Sequence, residues 1–223
     1  MLKENALDGF CSAGNTGAML VGASYTLNVI PGVLRPALAT IVPGLDNHNA
    51  VILDVGLNPE CKPEVLCQYG ILGSIFARYV LEAQNPTVKL LNIGEEETKG
   101  TSTIKAAYEL MRDHPGLNFE GNIEANSLFR ESMPDVIVCD GFVGNVILKQ
   151  TEAFYHIYKT RNLKDSYFER LDFESIGGTP IVGINANVVI GHGISRRRAI
   201  MNMILQTWAV VHANLAQKIK EAI

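Results

Sequence analysis

This sequence has no long apolar run, few cysteines and no surplus of basic residues. None of its segments approaches the roughly 18 apolar residues that a membrane-spanning helix needs, and its first residues do not resemble a signal peptide. Its 19 Lys and Arg against 23 Asp and Glu give a net charge of −4. General nucleic-acid binding relies on excess positive charge, so we expect no nucleic-acid partner. A cytoplasmic protein fits these absences.

The motifs of several common catalytic centres are also missing. The 5 histidines are scattered, and neither His-Glu-x-x-His nor Cys-x-x-Cys occurs. There is no Gly-x-Ser-x-Gly elbow, and none of the 4 cysteines has an obvious base partner. The cysteines lie in apolar or helical patterns without paired ligand spacing, so the favoured interpretation is that they are buried, reduced thiols. The glycine loops lack the lysine of a nucleotide P-loop and the spacing of a dinucleotide fingerprint. We therefore expect no metal, no cofactor and no protein nucleophile.

What the sequence does contain is an alternation of strand and helix patterns. With 223 residues and 47% hydrophobic composition, the chain can form a substantial core. Short apolar runs bounded by Gly, Pro or Asp alternate with helical periodicity, which predicts an α/β fold with crossovers on a mainly parallel sheet. The predicted strands are 10–12, 38–42, 50–55, 88–93, 136–139 and 188–190, and the predicted helices are 63–82, 102–112, 145–161 and 199–219.

A small glycine-punctuated loop, Ser12–Ala18, runs into an apolar helical pattern. Its backbone N–H groups and the side chains of Asn15 and Thr16 can face one oxyanion, at the positive end of the helix dipole. Gly14 and Gly17 remove the Cβ atoms that would keep an anion from the backbone. An ordinary turn capped by Asn15 or Thr16 explains the same residues, so both interpretations stand at this point.

Four more predicted strands end in segments that combine glycine with polar residues. Ligands of open parallel sheets bind beyond the carboxyl ends of the strands, so we expect these segments to form one polar site. Each of them taken alone is also a common turn sequence. Glycine amides with Asn, Ser and His suit the binding and stabilisation of an oxyanion, as acyl transfer to phosphate requires. The four segments are 54–58, 92–96, 140–145 and 191–195.

Individual roles are open at several of these positions. Asp140 can be a helix cap, a general base or both, and Asn145 can donate or accept at a helix start. His192 lies between two glycines, where its uncharged ring can donate to a phosphate or thioester oxygen. Ser195 can simply cap the last helix, whose first turn carries the three arginines 196–198. Arginine opposes the dipole there, which favours a nearby anion, although a solvated run explains it too.

Seven motifs follow one another along the chain. They are Ser-Ala-Gly-Asn-Thr-Gly-Ala (12–18), Arg-Pro-Ala (35–37), Leu-Asp-Val-Gly-x-Asn-x-x-x-Lys-Pro (53–63), Asn-Ile-Gly-Glu-Glu-x-x-Lys-Gly (92–100), Asn-Phe-x-Gly-Asn-Ile-Glu (118–124), Asp-Gly-Phe-x-Gly-Asn-Val (140–146) and Gly-His-Gly-x-Ser (191–195). Their order closely resembles the bacterial phosphate acyltransferase family of phospholipid synthesis, the PlsX family.

The resemblance implies conversion of acyl-[acyl carrier protein] and inorganic phosphate to acyl phosphate and free carrier protein. It also implies a three-layer αβα Rossmann-like sheet, similar to that of phosphotransacetylases and isocitrate dehydrogenases. Family members are homodimers that associate peripherally with the inner face of the membrane. Two alternatives stay open: a phosphotransacetylase-like enzyme that uses coenzyme A, and an inactive phosphate-binding scaffold.

The resemblance also implies site residues. Phosphate would attack the thioester carbonyl while backbone amides and His192 stabilise the oxyanion. The candidate catalytic residues are His192, Ser195, Asp140 and Asn145, and the candidate phosphate or acyl-phosphate ligands are Ser12, Gly14, Asn15, Thr16, Gly17, Asp54, Asn58, Lys62, Glu95 and Gly144. A surface position explains Lys62 equally well, and Glu95 is most simply part of a hydrated loop that caps the next helix.

The sequence departs from the family pattern in four places. Family members begin with a strand that carries Asp-Ala-Met-Gly-Gly-Asp, so residues 1–223 are expected to form a phosphate acyltransferase domain that lacks this N-terminal segment. Residues 124–127 lack an arginine of the family, and Ile194 replaces a serine. Residues 146–180 are expected to be a compact helical insertion with a membrane or dimer role.

Overall fold

The computed structural model describes residues 1–4 and 6–223, without the side chain of Phe173, and these residues divide into two units. The first unit contains residues 1–40 and 148–223, and the second contains residues 41–147. The strands are β1 (Gly9–Ser12), β2 (Ala37–Pro43), β3 (Asn49–Leu53), β4 (Thr87–Asn92), β5 (Asn118–Glu124), β6 (Val136–Val138), β7 (Thr179–Val182) and β8 (Asn187–Ile190). The helices are α1 (Thr16–Leu27), α2 (Pro63–Val80), α3 (Ser102–Arg112), α4 (Gly141–Thr160), α5 (Phe173–Ile176), α6 (Arg197–His212) and α7 (Leu215–Ala222), with short 3-10 turns at Ala125–Ser127 and Phe168–Leu171.

The second unit is built on a parallel sheet. Its strands lie in the order β3-β6-β4-β5, and each neighbouring pair is parallel. The apolar runs Val51–Leu53 of β3 and Val136–Val138 of β6 are buried throughout, as expected for strands that are covered on both faces. The helix α2 packs on β3, β6 and the amphipathic α3. All four strands therefore end at one edge, which carries segments 54–58, 92–96 and 140–145.

The first unit contains a mixed sheet. The strand β1 pairs in parallel with β8, with Ser12 opposite Ile190, and β7 is antiparallel to both β8 and β2. The helix α6 packs on β1 and β8, and α5 packs on α6. The parallel register brings the segments after Ser12 and after Ile190 to the same edge of this sheet.

The predicted α/β class and most predicted elements are confirmed. The helix α3 has the predicted ends, whereas α4 begins at Gly141 rather than at residue 145. One long helix over 199–219 is wrong, because Asn214 takes a left-handed conformation (φ 51°) between α6 and α7. In the part of the chain that the structure describes, no helix is both long and apolar enough to cross a bilayer.

Two strands were not predicted, and each has a local reason. The register of β5 against β4 shifts between Val88 and Leu90, and Gly121 of β5 has a φ of 86°. This bulge interrupts the period-two alternation by which a strand is recognised. In β7 the second residue is Pro180, which normally indicates a loop or a strand edge.

Candidate functional site

The loop after β1 leads into the N-terminus of α1 in the first unit. Ser12 Oγ accepts a hydrogen bond from the Gly14 N–H (3.1 Å), and Asn15 Oδ1 caps the helix by accepting from the Ala18 N–H (3.0 Å). The exposed N–H groups of Thr16 and Gly17 have no acceptor among the described residues. The loop is thus a capped turn that also presents two backbone donors, at the positive end of a helix whose cap is uncharged.

The loop after β8 lies against this turn. The Gly191 N–H donates to the Ser12 carbonyl (2.9 Å), and Ser195 N–H donates to the His192 carbonyl (2.9 Å). A Cβ on Gly191 would lie 3.6 Å from Ala13 Cβ and 3.5 Å from Ser195 Oγ. The structure therefore brings the segments 12–18 and 191–195 together, as the sequence predicts for strand ends at one edge.

The hydroxyl of Ser195 is the most informative group in this loop. Its Oγ is buried and has no hydrogen-bond partner among the described residues. The residue at the cap position of α6 is Arg196, so the interpretation of Ser195 as the cap of the last helix is wrong. An unpaired buried hydroxyl is unfavourable by about 1–3 kcal/mol, so this donor is one that a bound oxygen can satisfy.

The ring of His192 contacts a residue that the sequence analysis missed. Its Nε2 atom lies 3.2 Å from Glu152 Oε1 on α4, and the two side chains are 36% and 25% exposed. Lys149 Nζ donates to both Glu152 oxygens, at 3.1 and 2.9 Å. Burial raises the pKa of Glu152, but hydrogen bonds with His192 and Lys149 outweigh it, and the net pKa lies below the ordinary value. Lys149 and Glu152 have the spacing of a common surface pair, so nothing in the sequence linked Glu152 to His192.

In the second unit, the segment after β3 has an interior made of its own polar atoms. Asp54 is fully buried, and its carboxylate accepts from the backbone N–H groups of Gly56 (3.2 Å), Leu57 (3.1 Å) and Asn58 (2.6 Å). Asn58 Nδ2 donates to Asp54 Oδ2 (3.1 Å) and to the Tyr69 hydroxyl (2.8 Å). These two predicted site residues thus hold the shape of the loop.

The N-terminus of α4 packs on the same loop. Asp140 Oδ1 accepts from the Val143 N–H (2.8 Å), so Asp140 caps the helix. The Gly141 N–H donates to the Asn58 carbonyl (2.8 Å), and a Cβ on Gly144 would collide with the Asp54 carbonyl. The structure brings Asp54, Asn58, Asp140 and Gly144 together within the second unit. Asn145 belongs to this cluster, with Oδ1 3.6 Å from the position of a Cβ on Gly56.

Two further candidates of the second unit are exposed charges. Lys62 precedes α2 without a side-chain cap bond, and Glu95 lies in the segment after β4. Neither side chain has an ion-pair partner within residues 1–4 and 6–223. Their place in a site stays a prediction.

The cysteines are free thiols in the described chain. Burial raises the pKa of Cys61 to about 11 and raises that of Cys67, and it raises that of the fully buried Cys139 well above the ordinary value. These three thiols therefore stay protonated at neutral pH. A protonated thiol is a poor nucleophile, which favours packing roles.

The three arginines at the start of α6 have different surroundings. Arg198 Nη2 donates to Ser175 Oγ (2.8 Å), and Nη1 lies 3.5 Å from Asp172 Oδ2. Arg196 and Arg197 are exposed and have no ion-pair partner among the described residues. Two positive charges thus stand beside the loop of His192 and Ser195.

Solved structures with a similar fold define the class. The fold matches the EutD phosphotransacetylase of Staphylococcus aureus with a TM-score of 0.61 and 15% identity, over 97% of this chain and 65% of that protein. It matches a phosphotransacetylase of Streptococcus pyogenes with a TM-score of 0.65 and 16% identity, over 94% of this chain and 65% of that protein. At such identities the likeness concerns the fold, which is the three-layer αβα architecture of phosphotransacetylases.

Sequence relatives narrow this class to one family. A family model described as fatty acid synthesis protein matches residues 1–161. The phosphate acyltransferase of Dictyoglomus turgidum is 36% identical, over 100% of this chain and 72% of its own length. That of Salinibacter ruber is 39% identical, over 98% of this chain and 70% of its own length. The chain belongs to the phosphate acyltransferase family, and it is an acyltransferase of fatty acid and phospholipid synthesis.

Proposed function

We propose that this chain transfers the acyl group of an acyl-[acyl carrier protein] to inorganic phosphate and releases acyl phosphate and free carrier protein. The observation that carries the proposal is the donor set of the first unit. The N–H groups of Thr16 and Gly17 and the buried Ser195 hydroxyl have no acceptor among the described residues. All three are uncharged donors, which suit an oxyanion.

Phosphate binds at the N-terminus of α1 in this proposal. Backbone N–H groups and the helix dipole together form an anion site. The cap of this helix is the uncharged Asn15, so no carboxylate competes for the same position. Ser12 and the two glycines of the loop, Gly14 and Gly17, keep the backbone close to the ligand.

The reaction begins when a phosphate oxygen attacks the thioester carbonyl carbon. The C–S bond then breaks, and the carrier thiol leaves. The Ser195 hydroxyl stabilises the negative charge that develops on the carbonyl oxygen, and His192 accepts the proton of the phosphate and returns it to the sulfur of the carrier. Holding phosphate and thioester side by side supplies much of the rate, because the step becomes effectively intramolecular.

The second-unit candidates take supporting roles in the proposal. Asp54, Asn58, Asp140 and Gly144 fix the loop 54–58 and the start of α4 through the contacts described above. Asn145 offers an exposed amide, and Lys62 and Glu95 offer exposed charges, for contact with the substrates.

The proposal also covers the surface that contacts the carrier, the oligomeric state and the location in the cell. The exposed Arg196 and Arg197 suit an anionic carrier. We also propose a homodimer, supported by four apolar side chains of α6 that are 54–60% exposed at helical spacing. Phe154 and Ile157 of α4, 55% and 51% exposed, support peripheral contact with the inner face of the membrane. Free thiols support a cytoplasmic location. The four side chains of α6 are Met201, Ile204, Leu205 and Trp208.

The direct test uses purified protein, a long-chain acyl-[acyl carrier protein] and labelled phosphate. Hydroxylamine traps the acyl phosphate as a hydroxamate. We expect phosphate-dependent product and stoichiometric thiol release, with kcat about 100-fold lower in Ser195→Ala, as for the loss of one oxyanion donor. Folding stability of that variant should not fall, because its hydroxyl has no partner to lose.

Two results would contradict the proposal. Faster turnover with acyl-coenzyme A than with the carrier would indicate the phosphotransacetylase-like alternative. A phosphate-dependent rise in melting temperature without any turnover would indicate a binding scaffold, because a ligand stabilises only the state that binds it.

A further inference from the structure

The contact between His192 and Glu152 lies next to the proposed phosphate site but forms no part of the donor set. His192 follows β8 and lies between Gly191 and Gly193. Its Nε2 atom lies 3.2 Å from Glu152 Oε1. The ring is thus held through this edge by a residue of α4, a different element.

An uncharged imidazole carries its proton on one nitrogen and a lone pair on the other. An ionised carboxylate can only accept hydrogen bonds, so it selects the tautomer whose N–H faces it. Lys149, which donates to both oxygens of Glu152, helps to keep the carboxylate ionised. A proton on Nε2, facing Glu152, would leave Nδ1 as the basic nitrogen of the ring.

We propose that Glu152 is a positioning residue that holds His192 as the Nε2–H tautomer. Nδ1 is then the general base that takes the proton of phosphate as phosphate attacks the thioester. This inference rests on the proposed function, because it assigns one nitrogen of the same site. It differs from the role that the sequence suggested for His192, in which the ring donates to the oxyanion.

The proton balance of the reaction requires such a group. Hydrogen phosphate has charge −2 and one proton, and the acyl phosphate product has charge −2 and none. As the phosphate oxygen bonds to the carbonyl carbon, its proton moves to Nδ1. When the C–S bond breaks, the electron pair leaves with sulfur, and Nδ1 returns the proton to form the carrier thiol. The ring ends in its initial state, and Glu152 stays ionised throughout.

The first test measures the tautomer without any turnover. The protein is labelled with ¹⁵N-histidine, and the His192 signals are identified among the 5 histidines by their loss in His192→Gln. Above neutral pH we expect the ring ¹⁵N shifts to place the proton on Nε2. In Glu152→Gln a mixture of tautomers should appear, because an amide can donate as well as accept.

A matched control comes from α7. Lys218 and Glu221 form another Lys–Glu pair at i,i+3, with 3.2 Å between Nζ and Oε2. Glu221→Gln removes the same charge from the same kind of pair, and it should leave the His192 signals unchanged. A proton on Nδ1 in the unaltered protein, or identical signals before and after Glu152→Gln, would overturn the inference.

The second test separates kcat from KM. We expect Glu152→Gln to lower kcat about tenfold, a part of the effect of general base catalysis, with little change of KM for phosphate. Glu152→Asp keeps the carboxylate and should recover part of the loss. Glu221→Gln should match the unaltered enzyme. A merely structural role of Glu152 would instead change both constants and fail to distinguish the amide from the shorter acid.

The outcomes distinguish this inference from the proposed function. If His192→Ala abolishes turnover while Glu152→Gln has the unaltered kcat, the inference is wrong and the proposed function stands. If His192→Ala turns over normally, the role of His192 in the proposed function is wrong as well. If the unaltered protein gives no acyl phosphate at all, the proposed function fails, and the ¹⁵N shifts still decide whether Glu152 sets the tautomer.

Discussion

The two units each carry a glycine-rich cluster at the carboxyl ends of parallel strands, but they use its polar atoms differently. In the second unit, the carboxylates of Asp54 and Asp140 accept hydrogen bonds from their own loop and helix. In the first unit, the N–H groups of Thr16 and Gly17 and the hydroxyl of Ser195 have no acceptor in the described chain. The cluster of the second unit is satisfied by its own residues, whereas that of the first unit has three donors without an acceptor in the described chain.

The helix caps give the physical reason for this difference between the two clusters. A carboxylate at an N-terminus is stabilised by the dipole, and it occupies the place where an anion would bind. The helix α4 has such a cap in Asp140, whereas α1 has the uncharged Asn15. The glycines of the two clusters also differ in role. Gly144 leaves room for the Asp54 carbonyl, whereas Gly17 lies at the exposed N-terminus of α1.

The largest expected effect is on the free energy of unfolding, when the cluster of the second unit is altered. A Cβ on Gly144 would collide with the backbone carbonyl of Asp54, and backbone cannot move aside as a flexible side chain can. Gly144→Ala should therefore lower the free energy of unfolding by about 3 kcal/mol, the upper range for overpacking. Urea unfolding followed by circular dichroism measures it.

A glycine of α1 provides the control. A Cβ on Gly22 would meet nothing within 4 Å. Gly22→Ala should raise the free energy of unfolding by about 0.5 kcal/mol, because alanine is the better helix former. Equal stability of Gly144→Ala and the unaltered protein would show that α4 does not pack on the Asp54 carbonyl.

The next largest effect is expected when the uncharged cap of α1 is replaced by a carboxylate. Asn15→Asp gives α1 the kind of cap that α4 has, and Asp caps as well as Asn, so the helix should persist. Its carboxylate would repel bound phosphate, and we expect KM for phosphate to rise about tenfold. Initial rates at varied phosphate concentration measure this change.

The matched variant is Thr101→Asp on α3. Thr101 is also a neutral cap, whose side chain accepts from the Ile104 N–H (3.3 Å). The Thr101→Asp variant adds the same charge to a helix outside the proposed phosphate site and should leave KM for phosphate unchanged. If both variants or neither raise KM, phosphate does not bind at the N-terminus of α1.

The sequence predicted elements well where pattern and burial agree. The periodicity of α3 and the apolar runs of β3 and β6 gave them nearly at their observed bounds. Prediction failed where one residue changed the backbone locally, as Gly121 does in β5 and Asn214 does between α6 and α7. Such changes depend on tertiary contacts that no local pattern records.

The candidate site was predictable as a set of strand ends but not as a set of roles. Asp54 and Ser195 occur in similar glycine-containing segments, yet one carboxylate is saturated by backbone donors and one hydroxyl is unpaired. The sequence cannot distinguish these cases, because turn formation and ligand binding select the same residue types. Glu152 was missed because its partner His192 is distant in sequence and its spacing to Lys149 is ordinary.

The smallest expected effect is on KM for the acyl carrier substrate, and it tests whether exposed arginines of the first unit contact the carrier. Arg196 and Arg197 are exposed, so their attraction for an anionic carrier is screened by salt. The double variant Arg196→Ala, Arg197→Ala should raise KM for the acyl carrier substrate about threefold at low ionic strength, with the difference lost at high salt. Lys164→Ala with Lys220→Ala removes the same charge from exposed positions elsewhere and should have no such effect. An equal rise in both double variants would indicate net charge rather than a local contact, and a salt-independent rise would indicate a structural change at the start of α6.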